Sequence, residues 1–264
     1  MRFVRPHNSF CLWAALTAAV SSPAVAADLL VSASHPTLPL SASISFHATG
    51  NDLVITLTNS AQTDVMLPLE ILTAVYYDVS GPALGLGRTS AVIGPESSLL
   101  FPPATPFDPA PKGVGGEWEY NEGVTNAPFG QAYAIRSAGL GILFTGVGGR
   151  FPGANLQGPS NVNGVQYGIT SALDNSATGN SPVTGGAGAL IKNQVIFTLS
   201  GLPAGFDPLA MISSVQFQYG TTRCDVEGTV DRCVPDVPEP STLILIALGV
   251  LAHFGCNWGR RVGR

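Results

Sequence analysis

The last 28 residues of the chain constrain its architecture more than any other segment. They form a proline-flanked turn, an apolar stretch without a charged residue and a basic tail, in the order Val237, Pro238, Glu239, Pro240, Ser241, then residues 242–258, then residues 259–264. Both prolines fix φ and lack an N–H group, so the turn is expected to be extended, with Ser241 or Thr242 capping a helix. The pattern predicts a transmembrane helix over about 242–258.

The length and the charges of this segment define how it would sit in a membrane. A helix over 242–258 spans about 25 Å, slightly less than a hydrocarbon core of roughly 30 Å. Positive charges at Arg260, Arg261 and Arg264 favour a cytoplasmic location for that end, which places the preceding chain outside the inner membrane. A buried core helix is disfavoured because little chain follows to pack it, and a plain permanent anchor stays an alternative.

The turn, the apolar helix and the arginines together resemble the PEP-CTERM sorting signal of exosortase-dependent surface proteins in Gram-negative bacteria. The resemblance covers residues 237–264 alone. It implies that a membrane-embedded exosortase recognises Pro238, Glu239 and Pro240, cuts near them and releases or transfers the protein to the cell surface. Such proteins often occur in bacteria that make extracellular polysaccharide, so the resemblance adds the matrix and its biofilm as an expected destination.

The first 26 residues have the order of a secretory signal peptide. A basic beginning and an apolar stretch over 10–20 precede a small-residue cleavage site for signal peptidase at Ala24, Ala26 and Ala27. The apolar stretch is too short for a stable transmembrane helix. We therefore expect residues 1–26 to be removed after export.

Residues 27–236 have a length that suits one large extracytoplasmic domain. They contain seven Lys and Arg residues against sixteen Asp and Glu residues, a formal net charge of −9. Nucleic acid is an unfavourable partner for such a body, because binding to phosphates requires clustered positive charge. Its abundant glycine and proline favour short strands joined by turns.

One hairpin can be assigned residue by residue. Residues 43–48 and 53–58 alternate apolar and polar side chains on either side of a turn with Gly50 at its first central position. This register predicts pairing of Phe46 with Ile55 and of Ile44 with Leu57. One face is wholly apolar, as expected of an antiparallel sheet with one buried face.

Further strands are predicted by the same criteria, separated by clusters of Gly, Pro and Asn. The candidates are residues 65–69, 72–79, 89–93, 98–101, 133–137, 141–144, 165–169, 189–199 and 213–219. The stretch 146–188 is expected to form long loops with one or two short strands. Together the candidates predict an all-β fold, a sandwich or jelly-roll-like antiparallel body.

Cys224 and Cys233 are the two cysteines outside the terminal signals, and they fit a hairpin. A turn at Gly228 and Thr229 pairs residue 226 with 231, 225 with 232 and Cys224 with Cys233. Cα atoms of a non-hydrogen-bonded pair approach to ~4.5 Å, within disulfide range. The compartment is oxidising, so we predict a disulfide there.

Recognisable catalytic and metal motifs are absent from the sequence. It contains no G-x-S-x-G, no H-E-x-x-H and no Walker loop. No cofactor is therefore predicted, and His35 and His47 are interpreted as ordinary strand or loop residues. The expected role is structural or interactive rather than enzymatic.

One aromatic and acidic stretch could still bind a ligand. If it is extended, Trp118 and Tyr120 share one face, and Glu117 and Glu119 share the other. Aromatic faces stack on sugar rings, and carboxylates accept hydroxyl groups or bind Ca²⁺. The alternatives are therefore a carbohydrate-binding or adhesive module at this stretch, and a secreted hydrolase of unfamiliar type. An ordinary strand with one packed aromatic face and one solvated charged face is the simpler interpretation.

Overall fold

The computed structural model describes most of the predicted body of the chain. The described residues are 28–102, 113–125, 127, 130–137, 148–156, 164–186 and 188–221, with the main chain of 147, 224–226 and 231–232. The predicted signal peptide (1–26), the strand candidate 141–144, Cys233 and the sorting segment (237–264) lie outside them.

A five-stranded antiparallel sheet forms one layer of the body. Its strand order is β1-β2-β3-β12-β5, with bounds Leu29–Ser34 (β1), Ser41–Thr49 (β2), Asp52–Asn59 (β3), Gln194–Ser200 (β12) and Gly87–Ile93 (β5). The side chains of β2, β3 and β12 alternate between buried and partly exposed. One face of this sheet therefore packs on the core and the other faces solvent.

A ten-stranded sheet forms the second layer. Its main path is β15-β14-β13-β4-β10-β11-β6, and β8 joins β4 to β7, which pairs with β9. The bounds are Leu72–Val79 (β4), Ser98–Leu100 (β6), Glu119–Glu122 (β7), Tyr133–Arg136 (β8), Val147–Arg150 (β9), Ile169–Thr170 (β10), Leu190–Lys192 (β11), Ile212–Tyr219 (β13), Cys224–Val226 (β14) and Asp231–Arg232 (β15). Among the described strand pairs, only β10 and β11 run parallel.

Helical structure is limited to short turns in the described part of the chain. There are 3₁₀ turns at Pro68–Glu70 and Gly115–Glu117, a π-type turn at Pro182–Gly186 and a four-residue helix α1 at Pro208–Met211. The all-β prediction is confirmed, and the antiparallel pairing is confirmed with the exception of β10 and β11.

The two sheets share one apolar core. Phe46 on β2 meets Tyr77 on β4 edge to face, with ring centroids 5.1 Å apart. Phe197 on β12 meets Trp118 at 5.1 Å and Phe151 at 5.3 Å. All five rings are buried. Aromatic side chains contribute large apolar areas and prefer such edge-to-face contacts, so they fix how the layers face each other.

The first hairpin of the structure has the register that the sequence predicts. Phe46 pairs with Ile55 and Ile44 with Leu57. Gly50 has a φ of +61°, the conformation that a tight hairpin turn requires at its first central position and that glycine adopts without strain. The alternation of apolar and polar residues and the glycine turn specify the same hairpin, which is why its register can be predicted from the sequence.

Other strand predictions were wrong in part. Residues 65–69 form a turn, because the Glu70 carboxylate accepts the N–H groups of Met66 and Leu67 and Pro68 starts a 3₁₀ turn. Residues 165–168 are also a turn, with Tyr167 at a φ of +56°. Strand β1 was not predicted.

The predicted strand 189–199 is two strands that belong to different sheets. β11 ends at Lys192 and β12 begins at Gln194, so the chain passes from the ten-stranded to the five-stranded sheet at Asn193. Asn193 has a φ of +82°, and its N–H donates to the carbonyl of Thr170. Asparagine tolerates positive φ better than β-branched residues do.

We predict that Asn193→Val lowers the free energy of unfolding by about 1 to 3 kcal/mol, because valine is strained at positive φ. Asn193→Gly keeps the main-chain bonds and should change stability by less than about 1 kcal/mol. Urea unfolding of both variants measures the difference. Equal stabilities would contradict a role for backbone conformation at this crossing.

Candidate functional site

The stretch singled out as a sugar or calcium site lies inside the body. Trp118 and Tyr120 are 0% and 1% exposed. Trp118 packs edge to face on Phe197, and Tyr120 belongs to the same core. The expectation of an aromatic face open to a sugar is wrong for these two rings, because the interface between the sheets has already covered them.

The acidic residues of this stretch are also buried, contrary to the solvated face of the simpler interpretation. Strand β7 begins at Glu119, whose Oε1 accepts a bond from Arg136 Nη2 at 3.3 Å directly across the β7–β8 pair. Glu117 accepts the N–H of Leu156 with Oε1. Burial lowers the pKa of the Arg136 guanidinium, and the charge of Glu119 opposes that shift.

Glu122 organises a third set of buried contacts. Its carboxylate accepts the N–H groups of Gly85 and Leu86 at 2.9 and 2.8 Å, and the hydroxyl of Tyr120 at 2.7 Å. Burial raises the pKa of Tyr120, so its hydroxyl stays a donor at neutral pH. The carboxylate therefore holds the chain before β5 against β7. These contacts stabilise the fold.

The two histidines of the body make a turn contact and a surface contact. His35 Nδ1 accepts the N–H groups of Thr37 and Leu38 in a turn. His47 contacts Asp28 on the exposed side of β2. Within the described residues, no three His, Cys, Asp or Glu side chains come together in a group that could hold a metal ion.

Sequence reasoning did not single out Asp64 and Asp174, which the fold brings to one pair of loops. Asp64 bonds to the main chain of Asn175, 111 positions along the chain. No motif or spacing links residues so far apart.

The last described strand, β15, comes shortly before the predicted sorting segment in the sequence. β15 is the outermost strand of the ten-stranded sheet, beside β14. The pairing of 225 with 232 and of 226 with 231 is the predicted hairpin register. Continued by one position, it is the register in which Cys224 and Cys233 were predicted to pair, although Cys233 lies outside the described residues.

Comparison with known families identifies the C-terminal segment. Residues 236–261 match the family model of the PEP-CTERM protein-sorting motif. The chain carries a PEP-CTERM sorting motif. The match includes Pro238, Glu239 and Pro240, so the resemblance of the tail is confirmed. A PEP-CTERM motif supports exosortase-dependent sorting to the surface from a membrane-anchored precursor.

The comparisons give the body no relative. No curated protein and no solved structure matches the chain. None of the helices among the described residues has the length and apolar character needed to cross a membrane. The predicted transmembrane helix over about 242–258 lies within the PEP-CTERM match and outside the described residues.

We predict that Trp118→Ala lowers the free energy of unfolding by about 3 to 5 kcal/mol, because it opens a cavity at the contact with Phe197. Leu30→Ala is the control, since Leu30 is 68% exposed and its truncation should cost less than about 0.5 kcal/mol. Chemical denaturation measures both. A Trp118→Ala protein as stable as the wild type would contradict the core position.

We predict that Cys224 and Cys233 form a disulfide in the exported protein. Reduction should raise the intact mass by about two hydrogen atoms, and the double substitution to serine should lower stability by about 2 to 3 kcal/mol, as for a short closed loop. Thiol alkylation without prior reduction is the check. Two alkylated cysteines in the native protein would show that no disulfide forms.

Proposed function

We propose that the protein is a surface or extracellular-matrix protein that an exosortase sorts through its PEP-CTERM motif. Its body has a structural or interaction role and no catalysis of its own. The observation that carries the proposal is the match over residues 236–261. It coincides with a proline-flanked turn, a charge-free apolar stretch and a terminal group of arginines.

Each part of the tail has a role in the proposed sorting. Pro238 and Pro240 are expected to keep residues 237–241 stiff, just outside the membrane, where an enzyme embedded in the membrane could reach them. A helix of marginal length over 242–258 holds the precursor only until that enzyme acts. The arginines at 260, 261 and 264 set the orientation.

The export pathway requires a signal at the other end of the chain. Signal peptidase is proposed to cut the precursor after Ala26, so that the body begins at Ala27 and folds outside the inner membrane. The proposed domain limits are therefore 1–26, 27–236 and 237–264. Extracellular polysaccharide is a proposed contact of the released body.

The body's buried carboxylates support a structural role. Glu119 bonds to Arg136, Glu122 clamps the main chain of Gly85 and Leu86, and Glu70 accepts two N–H groups. Buried charged groups satisfied in this way are contacts on which the fold depends. A general acid or base needs access to a substrate, which these side chains lack.

We predict that Glu239→Ala causes the precursor to accumulate in the inner membrane, because the exosortase no longer recognises the turn. Glu96→Ala is the matched control, since Glu96 is an exposed residue of the body. Intact mass of the protein from the membrane, the surface and the medium distinguishes the forms. The wild-type product should begin near Ala27 and end near Pro238–Pro240.

A wild-type surface protein that still contains residues 242–264 would instead indicate a permanent anchor, and sorting by cleavage would be excluded. Incubation of the released protein with the host's polysaccharide tests the second part of the proposal. No new reducing ends are expected, and their appearance in the wild-type sample would establish a hydrolase.

A further inference from the structure

Two loops at one end of the body are joined through the carboxylate of Asp64. The first loop follows β3, and the second lies between β10 and β11. Asp64 Oδ1 accepts the N–H of Asn175 at 2.8 Å, and Oδ2 accepts the hydroxyl of Thr178 at 2.5 Å. The hydroxyl of Ser171 donates to the carbonyl of Thr63 at 2.6 Å. We call this region the acidic loop junction.

A second carboxylate, from Asp174, lies in the same junction and is buried. Asp174 is 4% exposed, and neither of its carboxylate oxygens has a hydrogen-bond partner among the described residues. Thr170, the last residue of β10, is 0% exposed, and its hydroxyl oxygen also has no hydrogen-bond partner among the described residues. Three buried oxygens of the junction therefore lack partners within the described part of the chain.

Such a group of oxygens is unfavourable unless something positive compensates it. Burial makes the charged form of Asp174 unfavourable, and the carboxylate of Asp64 lies close enough to act on it. The Thr170 hydroxyl and the Val65 N–H are also near, but neither reaches hydrogen-bond geometry with the Asp174 carboxylate. The hydrogen bonds from Thr178 and Asn175 stabilise the charged form of Asp64.

We propose that Asp64 and Asp174 bind a calcium ion at the acidic loop junction, with the Thr170 hydroxyl as a neutral ligand. Each oxygen of Asp64 accepts one hydrogen bond and keeps lone-pair capacity, and both oxygens of Asp174 are available. The donors are all oxygen, which suits Ca²⁺ rather than zinc or copper. Water completes the shell.

Calcium fits this junction better than magnesium does. Ca²⁺ accepts an irregular shell of six to eight oxygens, whereas Mg²⁺ requires near-ideal octahedral geometry and retains its water. Two carboxylates balance the charge of one divalent ion. With only two charged ligands, the affinity should be that of extracellular modules, with a Kd on the order of 10⁻⁴ to 10⁻³ M.

A lysine also lies at the junction and defines the competing arrangement. Lys192 Nζ donates to the main-chain carbonyl of Asp174 at 2.7 Å. A shift of this ammonium group onto the carboxylates would compensate their charge without an ion. A proton shared between Asp64 and Asp174 would do the same at low pH. Both arrangements predict no response to calcium, so they are experimentally separable.

The proposed ion would connect the two sheets at this end. The first loop continues from the five-stranded sheet and the second connects strands of the ten-stranded sheet. The supply of calcium outside the cell rests on the proposed export. Calcium binding by the purified protein does not depend on export, so failure to sort and failure to bind calcium are distinguishable results.

The test is equilibrium dialysis of the exported protein, purified from the host, against radioactive calcium alone. We expect one ion per chain, and a midpoint of thermal unfolding that rises by roughly 2 to 9 °C when about 5 mM calcium replaces a chelator. Asp174→Asn should weaken binding by more than about tenfold. Glu96→Gln, an equal change of charge at an exposed residue, should bind as the wild type does.

A second variant covers the case in which Asp174→Asn does not fold. Thr170→Val keeps the shape of the side chain and removes its oxygen, so it should weaken calcium binding while the unfolding midpoint in chelator stays within a few degrees. Wild-type protein that retains no calcium at about 5 mM, about five times the upper limit of the expected Kd, would overturn the proposal. Unchanged binding by Asp174→Asn would do so too.

Discussion

The packing of aromatic rings between the two sheets is the interaction on which the rest of this body depends. Phe197 contacts both Trp118 and Phe151, and Phe46 contacts Tyr77. Truncating one such side chain costs about 3 to 5 kcal/mol, a large part of the roughly 5 to 15 kcal/mol by which a domain is stable. The position of β7 and of its acidic residues follows from this packing.

The centre of the ten-stranded sheet is buried on both faces, and this has a chemical consequence. Every described side chain of β7 and β8 is buried, so the polar residues among them need partners within the protein. Glu119 accepts a hydrogen bond from Arg136, and Glu122 is satisfied by main-chain N–H groups and the Tyr120 hydroxyl. A stretch that resembles a binding motif in sequence is thus a buried polar layer. The tyrosines close to Glu122 stay protonated because burial raises the pKa of Tyr77 and Tyr120.

Sorting and calcium binding depend on different features of the chain. Sorting depends on a linear segment whose turn, apolar length and terminal charge are readable directly from residue order, which is why a family model matches 236–261. The calcium proposal depends on residues that are far apart in the chain and meet only after β3, β10 and β11 are in place. Asp64 and Asp174 carry no local pattern. Sorting does not require calcium binding, and calcium binding does not require sorting.

The sequence by itself determined the sorting motif, the all-β class and the β2–β3 hairpin, because each follows from local chemistry: proline geometry, period-two alternation and a glycine turn. It also determined the pairing of β14 with β15. Tertiary structure decided the rest. The apolar run 189–199 reads as one strand, but the positive φ of Asn193 divides it between two sheets. From the sequence, the aromatic face of Trp118 and Tyr120 could equally bind a ligand or pack in the core. Only the opposing sheet decides between them, because burial is a property of what packs against a side chain and not of the side chain itself.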